Sequence, residues 1–356
     1  MTTPSVSILI PVYNGAMTVG RCLDSALSQD YSDLEVVVVD DHSTDDTAGV
    51  LAGYRDRARV LRNERNSGIA RTYNRAIRES RGEIVVMLAS DCALVGRDYV
   101  TRLVRHFEDP TVGAVAGKAV IPDFDSARSI ERIFARLNIL DINDPDTGVR
   151  QVNFVEVRCD GFRRSVLEAV EGLNEDLFRS NEDQDLSIRI ARRNYRLLQD
   201  NSLQFRLGFG GTEDTLGKLL SKQAQYARGQ AYIAVRYGVG SREGLWDNAN
   251  RKRRALHRMT QVASIPVAST LAVAASVWSP AWLVLAALAT GRIAQIAGLP
   301  HDLRPTERLA ALPLGLCCDL IYSASFLTNV IAWIAQGKSR LTDRAAGNPR
   351  ILRERR

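Results

Sequence analysis

Three acidic groups in this 356-residue chain stand where a ligand could meet them. Asp40-Asp41 ends the run Val36-Val37-Val38-Val39. Asp91 closes Met87-Leu88-Ala89-Ser90-Asp91, and Glu182-Asp183-Gln184-Asp185 follows Asn181. An all-valine run reads as a buried parallel strand, and Ser43-Thr44-Asp45-Asp46 reads as the capped start of a helix. In an open α/β sheet, ligands sit outside the carboxyl ends of the strands. A carboxylate there suits a hard divalent cation that also holds phosphate oxygens, and a further carboxylate across the cleft suits a general base. Asp40 and Asp41 lack the glycines that would cradle a pyrophosphate, so hydrogen bonding to a base or ribose fits them better. Asp45 and Asp46 are better read as caps. Acids in the first turn after Asn181 also stabilise a helix on their own account. It is the ordered set that points to a site.

The elements that must position these acids alternate. Val6 to Val12 reads as a strand leaving through Pro11-Val12-Tyr13-Asn14-Gly15. Thr18 to Ser28 has helical spacing, with Val19, Cys22, Leu23, Ala26 and Leu27 on one face. The Val36 strand follows, then a helix from Thr47 to Arg57 and a short strand at Val60-Leu61. Asn66-Ser67-Gly68 opens a helix over Ile69 to Ser80, and Gly82-Glu83 turns into a strand over Ile84 to Leu88. This βαβαβ order predicts a doubly wound, mostly parallel sheet. Further on, the pattern predicts one or two strands in Val112 to Val120 and a helix over Ser126 to Ile139. Asp141 to Gly148 reads as a polar turn. Strands are expected at Val152 to Val157 and Arg196 to Leu198, with a long amphipathic segment from Leu216 to Tyr237.

Net charge is +6, from 47 basic and 41 acidic residues, and the excess is local. Arg251-Lys252-Arg253-Arg254 and Arg258 precede Met259 to Gly291, which holds no charged residue. Lys338, Arg340, Arg344, Arg350, Arg353, Arg355 and Arg356 follow Leu309 to Gln336, which carries only Asp319. The first run exceeds the ~20 residues that span a bilayer. Basic clusters on both outer flanks predict transmembrane helices with both ends in the cytoplasm, most simply two spans, with three as the alternative. The same clusters suit anionic membrane lipids. They lack aromatic interleaving, so nucleic acid is not the expected partner. Met1 to Ser7 has no basic region of the kind that opens a signal peptide. Cys22, Cys92 and Cys159 are scattered, Cys317-Cys318 lies in an apolar run, and no metal-ligand spacing appears.

Taken in order, these segments resemble family 2 glycosyltransferases of the GT-A fold. The similarity covers roughly residues 5 to 230. It rests on Val6-Ser7-Ile8-Leu9-Ile10-Pro11-Val12-Tyr13-Asn14, on Val39-Asp40-Asp41-His42-Ser43-Thr44-Asp45, and on Asn66-Ser67-Gly68 to Ile77. It continues in the strand from Gly82-Glu83 to Asp91, like that family's D-x-D element. Gly161-Phe162-Arg163-Arg164, Gly172-Leu173-Asn174-Glu175 and Glu182-Asp183-Gln184-Asp185-Leu186 complete it. The resemblance implies an α/β fold of GT-A type, the nucleotide-diphospho-sugar transferase fold, followed here by the C-terminal transmembrane helices. The boundaries expected are a catalytic domain at 1–230, a basic juxtamembrane linker at 231–258, a transmembrane region at 259–337 and a basic tail at 338–356.

The roles follow from the resemblance residue by residue. Asp183 would be the general base, supported by Glu182. Pro11, Tyr13, Asn14, Asp40, Asp41, Gly68 and Arg71 would bind the donor nucleotide, with Asp41 on its base. Asp91 would hold a divalent metal, Mg²⁺ or Mn²⁺, or the ribose beside it. Gly161, Arg163 and Asp185 would lie on the acceptor side. Some positions depart from the family. Ala89 stands where the first acid of D-x-D usually lies, and Tyr73 replaces an arginine, with Arg71 nearby. A histidine is missing from Gln199 to Gly211, and Lys222-Gln223-Ala224-Gln225-Tyr226 stands in place of a Gln-x-x-Arg-Trp element. The resulting expectation is a membrane-anchored, cytoplasm-facing, inverting and non-processive glycosyltransferase. Its donor would be a nucleotide sugar, and its acceptor a lipid-linked or cell-envelope glycan. The alternatives are an inert membrane scaffold or nucleotide-sugar sensor, and a nucleotidyltransferase. An oxidoreductase is disfavoured by the absence of a G-x-G-x-x-G turn.

Overall fold

The computed structural model describes residues 3–120, 129, 132–133, 147–177, 180–207, 215–237 and 305–335. The chain opens with β1 (Val6–Val12), α1 (Val19–Leu27), β2 (Leu34–Asp40), α2 (Thr47–Ala52), β3 (Arg59–Arg62), α3 (Ile69–Glu79) and β4 (Ile84–Leu88). These agree closely with the alternation in the sequence, except that α2 stops well short of Arg57. Next come β5 (Cys92–Leu94), α4 (Tyr99–Arg105) and β6 (Val112–Val120), a single strand. β7 (Val149–Val152), β8 (Cys159–Arg163), α5 (Arg164–Ala169) and α6 (Glu182–Ala191) follow. The described chain closes with β9 (Arg196–Leu207), α7 (Leu216–Tyr237) and α8 (Pro305–Ala335).

The strands form one sheet in the order β3-β2-β1-β4-β8-β6-β9-β5, with β7 paired to β9. β3, β2, β1 and β4 run parallel. β8 then enters antiparallel to both β4 and β6, and β6 runs parallel to β9. The sheet is thus mixed, doubly wound in its first half, as a GT-A-like fold requires. Every residue of β1 and β4 is buried. Alternate side chains serve opposite layers. Ile8, Ile10, Val36, Val38, Val86 and Leu88 pack on α1 and α4. Leu9, Val37, Val39, Val85 and Met87 pack on α3, α5 and α6.

Two strand readings change. Val152 to Val157 is not a strand beyond β7, because Val157 takes a left-handed backbone (φ 54°) and the chain turns there into β8. β9 runs on to Leu207, far past Leu198, because it pairs with β6, β7 and β5 along its length. Of the helix expected over Ser126 to Ile139, only residues 129, 132 and 133 are described, and they are helical.

The C-terminal transmembrane helices are overturned for the described residues. No helix there is long and apolar enough to cross a membrane. The apolar run Leu309 to Gln336 belongs, up to Ala335, to α8, which lies along α7. Tyr322 and Phe326 pack on Ala227, Ala231 and Ala234. Glu307, Asp319 and Ser323 are buried as well, and Glu307 pairs with Arg132 at 3.2 Å. The apolar face of α8 thus serves helix packing, and polar groups share it. Met259 to Gly291, the flanking basic clusters and the tail lie outside the described residues. The expectation of a membrane-anchored protein with its catalytic domain on the cytoplasmic face of a bilayer does not stand. The membrane lipids and the lipid-linked acceptor expected as partners rested on those spans and have no direct support among the described residues.

Gly82 shows how tightly the sheet closes before β4. Its N–H donates to Ser7 Oγ at 2.7 Å, and a Cβ built on it would lie 2.4 Å from the Ser7 backbone nitrogen. Gly82→Ala must therefore push β1 from β4. We expect a loss of about 1–3 kcal/mol, as for overpacking in a core, measured as a lower urea midpoint with an unchanged slope.

Candidate functional site

The carboxyl ends of β1, β2 and β4 and the start of β8 open on one edge of the sheet. The first cluster on that edge is built around Asp41. Its N–H donates to Val12 O at 2.7 Å, fixing it beside the end of β1. Asp41 Oδ1 accepts from Asn63 Nδ2 at 2.6 Å and Ser67 N at 2.8 Å, and Oδ2 accepts from Gly68 N at 2.9 Å. Gly68 holds φ +84°, a conformation that suits glycine, and α3 starts at once behind it. A buried carboxylate therefore organises the Asn66-Ser67-Gly68 turn. Asp40, also buried, accepts from Ser43 N at 2.9 Å and pairs with Arg62 at 3.2 Å.

The loop after β1 is laced to the loop after β2. Ser43 Oγ accepts from Asn14 N at 2.9 Å, Asn14 Oδ1 accepts from Thr44 N at 2.8 Å, and Thr47 Oγ1 accepts from Gly15 N at 2.9 Å. Asp45, expected only as a cap, accepts from Ala16 N at 3.1 Å and so binds the two loops together. Asp46 stands at the N-cap of α2 but makes no side-chain capping bond. Pro11 is buried, while Tyr13 projects outward, 48% exposed. Arg71 pairs with Glu175 at 3.3 Å. Tyr73, where the resemblance expects an arginine, is a core residue on α3. Its hydroxyl donates to Val157 O at 3.4 Å.

The second cluster gathers Asp91, Glu156, Arg158, Glu182, Asp183, Lys222 and Tyr226, which act on one another electrostatically. Ala89 N donates to Arg158 O at 2.6 Å, so the approach to β8 lies directly against the end of β4. Arg158 Nε pairs with Glu156 at 3.0 Å. Burial pulls the Arg158 guanidinium pKa down, but Glu156 foremost, with Asp91, more than offsets this, so the side chain stays a cation. Burial, and then the Glu182 carboxylate beside it, push Asp183 well above the ordinary carboxylate range, and burial raises Glu182 too. Burial and then Arg158 pull Lys222 down to about 8, and burial pushes Tyr226 up to about 12. Among the described residues, no group of three or more His, Cys, Asp or Glu could hold a metal ion. Asp91 offers one hard carboxylate ligand.

α7 braces this cluster from behind. Asn181, just ahead of α6, has φ 63° and donates through Nδ2 to Gln184 Oε1 at 2.9 Å. Its Oδ1 lies against Gly229 of α7, where a Cβ would come within 2.3 Å. Asp185, placed by the resemblance on the acceptor side, is fully buried. It pairs with Arg189 at 2.7 Å and accepts from Tyr237 Oη at 2.6 Å, joining α6 to α7. Gly161 is a core position of β8 where a Cβ would meet Leu103. Arg163 donates to Phe107 O at 2.8 Å and Asp109 O at 3.1 Å. The structure thus brings Pro11, Tyr13, Asn14, Asp40, Asp41, Gly68 and Arg71 around one end of the edge. It sets Asp91, Glu182 and Asp183 around the other, and leaves Gly161, Arg163 and Asp185 within the framework.

Sequence reasoning missed Glu156, Arg158, Lys222 and Tyr226. Two opposite charges within the apolar stretch Val152 to Val157 and just beyond were the signal for the first pair. Lys222 and Tyr226 lay in a segment read only for what it lacked. The scattered cysteines also converge: Cys22 Sγ lies 3.5 Å from Ala89 O, and Cys92 Sγ lies 3.6 Å from Asp91 Oδ1. All three of Cys22, Cys92 and Cys159 are buried and outside any disulfide.

Asp41→Asn tests the first cluster. An amide there turns one acceptor into a donor facing N–H groups. We expect a loss of about 1–3 kcal/mol in chemical denaturation, with faster amide hydrogen exchange at Ser67 and Gly68.

Comparison with known proteins places this geometry. Residues 7–170 match glycosyl transferase family 2. An N-acetylglucosaminyltransferase of Bradyrhizobium elkanii is 37% identical over 123 residues, 33% of this chain and 67% of that protein. An uncharacterized protein of Mycobacterium tuberculosis is 41% identical over 111 residues, 31% of this chain and 34% of that protein. A chondroitin synthase of Escherichia coli is 44% identical over 90 residues, 25% of this chain and 13% of the synthase. The chain therefore spans about a third of the mycobacterial relative's length and a smaller part of the synthase's. A mannosyltransferase of Pyrobaculum calidifontis, solved in complex with GDP-Man and Mn²⁺, superposes with a TM-score of 0.60 at 22% identity. The match covers 92% of this chain and 88% of that one, and it establishes the shared fold. With residues 7–170 matching that family and the Bradyrhizobium elkanii relative covered to 67% of its length at 37% identity, the chain belongs to glycosyl transferase family 2.

Proposed function

We propose that the protein transfers a glycosyl group from a nucleoside-diphosphate sugar to an acceptor hydroxyl, with Asp183 as the general base. The observation that carries this reading is the pairing of Glu182 and Asp183 at the start of α6, in one electrostatic cluster with Asp91 and Arg158. The names of the relatives and of the fold neighbour support the donor class, since one is an N-acetylglucosaminyltransferase and the other was solved with GDP-Man. In the step proposed, Asp183 takes the proton of the acceptor hydroxyl. The acceptor oxygen bonds to the anomeric carbon, and the bond from that carbon to the phosphate oxygen breaks, its electron pair leaving with the nucleoside diphosphate. Tyr13, Asn14, Asp40, Asp41, Gly68 and Arg71 form the donor end, with the exposed Tyr13 ring available to stack on a base.

A divalent cation fits this chain in part, because Asp91 is a hard oxygen ligand at a strand's end while, among the described residues, no group of three or more His, Cys, Asp or Glu could hold a metal ion. Such a cation would sit on Asp91 and the donor's phosphate oxygens and supply positive charge there.

Asp183→Asn keeps the shape and removes the basicity. We expect turnover to fall roughly 10²–10⁴-fold, the usual worth of a general base, with donor affinity retained. Wild-type turnover in that variant would end the assignment.

The pH dependence follows from the raised Asp183 carboxyl. The base works only when ionised, so activity is lost as pH falls through a limb lying above the ordinary Asp value of about 3.9. Glu182→Gln removes a like charge and makes ionisation easier. The acid limb of kcat/KM should therefore move to lower pH in that variant, and an upward move would contradict the coupling.

A further inference from the structure

Opposite Ala89, where a second strand-end acid is absent, the structure sets two cations. Arg158 is joined to Ala89 by the 2.6 Å backbone bond and so cannot drift from the end of β4. Its side chain is 31% exposed, enough to meet a solute at the edge of the sheet. Glu156 holds it through Nε, and a guanidinium held on that edge still presents a terminal nitrogen to a further acceptor. Lys222 comes from a different element, α7, with its Nζ 5.9 Å from the Tyr226 ring centroid. Arg158 and Lys222 act on each other and on Asp91.

Two like charges brought together from separate elements repel: the Arg158 cation acts against that of Lys222. An anion in the same space would offset that repulsion. Asp41 and the Gly68 turn lie at the carboxyl end of β2, and β1 alone separates β2 from β4. A nucleotide seated by its base at the first cluster would direct its phosphates along the sheet edge toward Arg158.

We propose that Arg158, oriented by Glu156 and assisted by Lys222, binds the diphosphate of the donor and takes up its charge as the nucleoside diphosphate leaves. The two side chains thereby supply, from the protein itself, positive charge that a second acid at position 89 would otherwise recruit as metal. This rests on the transfer reading above and adds to it the residues that recognise the phosphates. A guanidinium matches phosphate oxygens in a fork, which a single carboxylate-bound ion does not require.

The test is calorimetric titration of the full chain with UDP, GDP, ADP and dTDP, in chelator and in Mn²⁺. The best binder is then compared with its nucleoside. Wild-type protein should bind one diphosphate measurably in chelator. Arg158→Gln should weaken that binding by about tenfold to a hundredfold, the worth of a charge-assisted hydrogen bond, while nucleoside affinity is unchanged. Arg158→Lys should recover part of the loss, and Lys222→Gln should weaken the diphosphate by a smaller factor. The salt dependence of diphosphate binding should be shallower in both glutamine variants.

If no diphosphate binds wild-type protein in either condition, the transfer reading itself fails. If one binds and Arg158→Gln leaves its affinity unchanged, the transfer reading survives and the Arg158 assignment is overturned. Equal losses for nucleoside and diphosphate would mark a purely structural arginine and also overturn it. Should Arg158→Gln melt early, Lys222→Gln on the separate helix decides, with undiminished diphosphate affinity counting against the proposal.

Discussion

The double burial of three parallel strands governs where chemistry can happen in this protein. β1, β2 and β4 carry apolar residues toward helices on both faces, so a charged side chain placed mid-strand would lose its water without gaining a partner. Polar function is therefore confined to the strand ends. The acids appear there: Asp40 and Asp41 after Val39, and Asp91 just beyond Leu88. Even so, Asp40 and Asp41 are buried, held there by backbone amides, the Asn63 side chain and the Arg62 ion pair. The first cluster is thus formed before any ligand arrives, and preorganisation of this kind lowers the ordering cost of binding.

The other half of the site depends on a different kind of support. Asp183 stands at the start of α6, and α6 is held from behind by α7. Asp185 bonds Tyr237, Asn174 bonds Tyr232, and Tyr232 meets Trp333 of α8 edge to face at 5.2 Å. α7 and α8 therefore belong to the framework that holds the second cluster. The long apolar run in α8 serves this packing, which is why reading it as a membrane span fails.

The first half of the fold was legible in the sequence because its signals are local. β1 and β4 run over the residues that the pattern marks, and the start of α3 follows from Gly68. β9 and the turn at Val157 were not legible, since both depend on strands far away in the chain. The acids of the site were likewise readable from their places at element starts and ends. Arg158 and Lys222 were not, because only the antiparallel entry of β8 and the packing of α7 bring them to Asp91. Asp185, expected on the acceptor side, is a buried tie between α6 and α7, a role that its place in the motif did not announce.

The placement of β8 has a consequence for synthesis of the chain. β8 lies between β4 and β6, yet both of those strands leave the ribosome before it. Until Cys159 to Arg163 arrive, β4 presents five apolar residues along an unpaired edge, the kind of surface on which nascent chains join one another. The half of the sheet that carries the first cluster is thus complete in sequence early, but its inner edge stays open until β8 closes it. A nascent chain halted between residues 120 and 159 would carry the Gly68 turn and a bare β4 edge together, so an interval hazardous for association falls just before the two clusters meet.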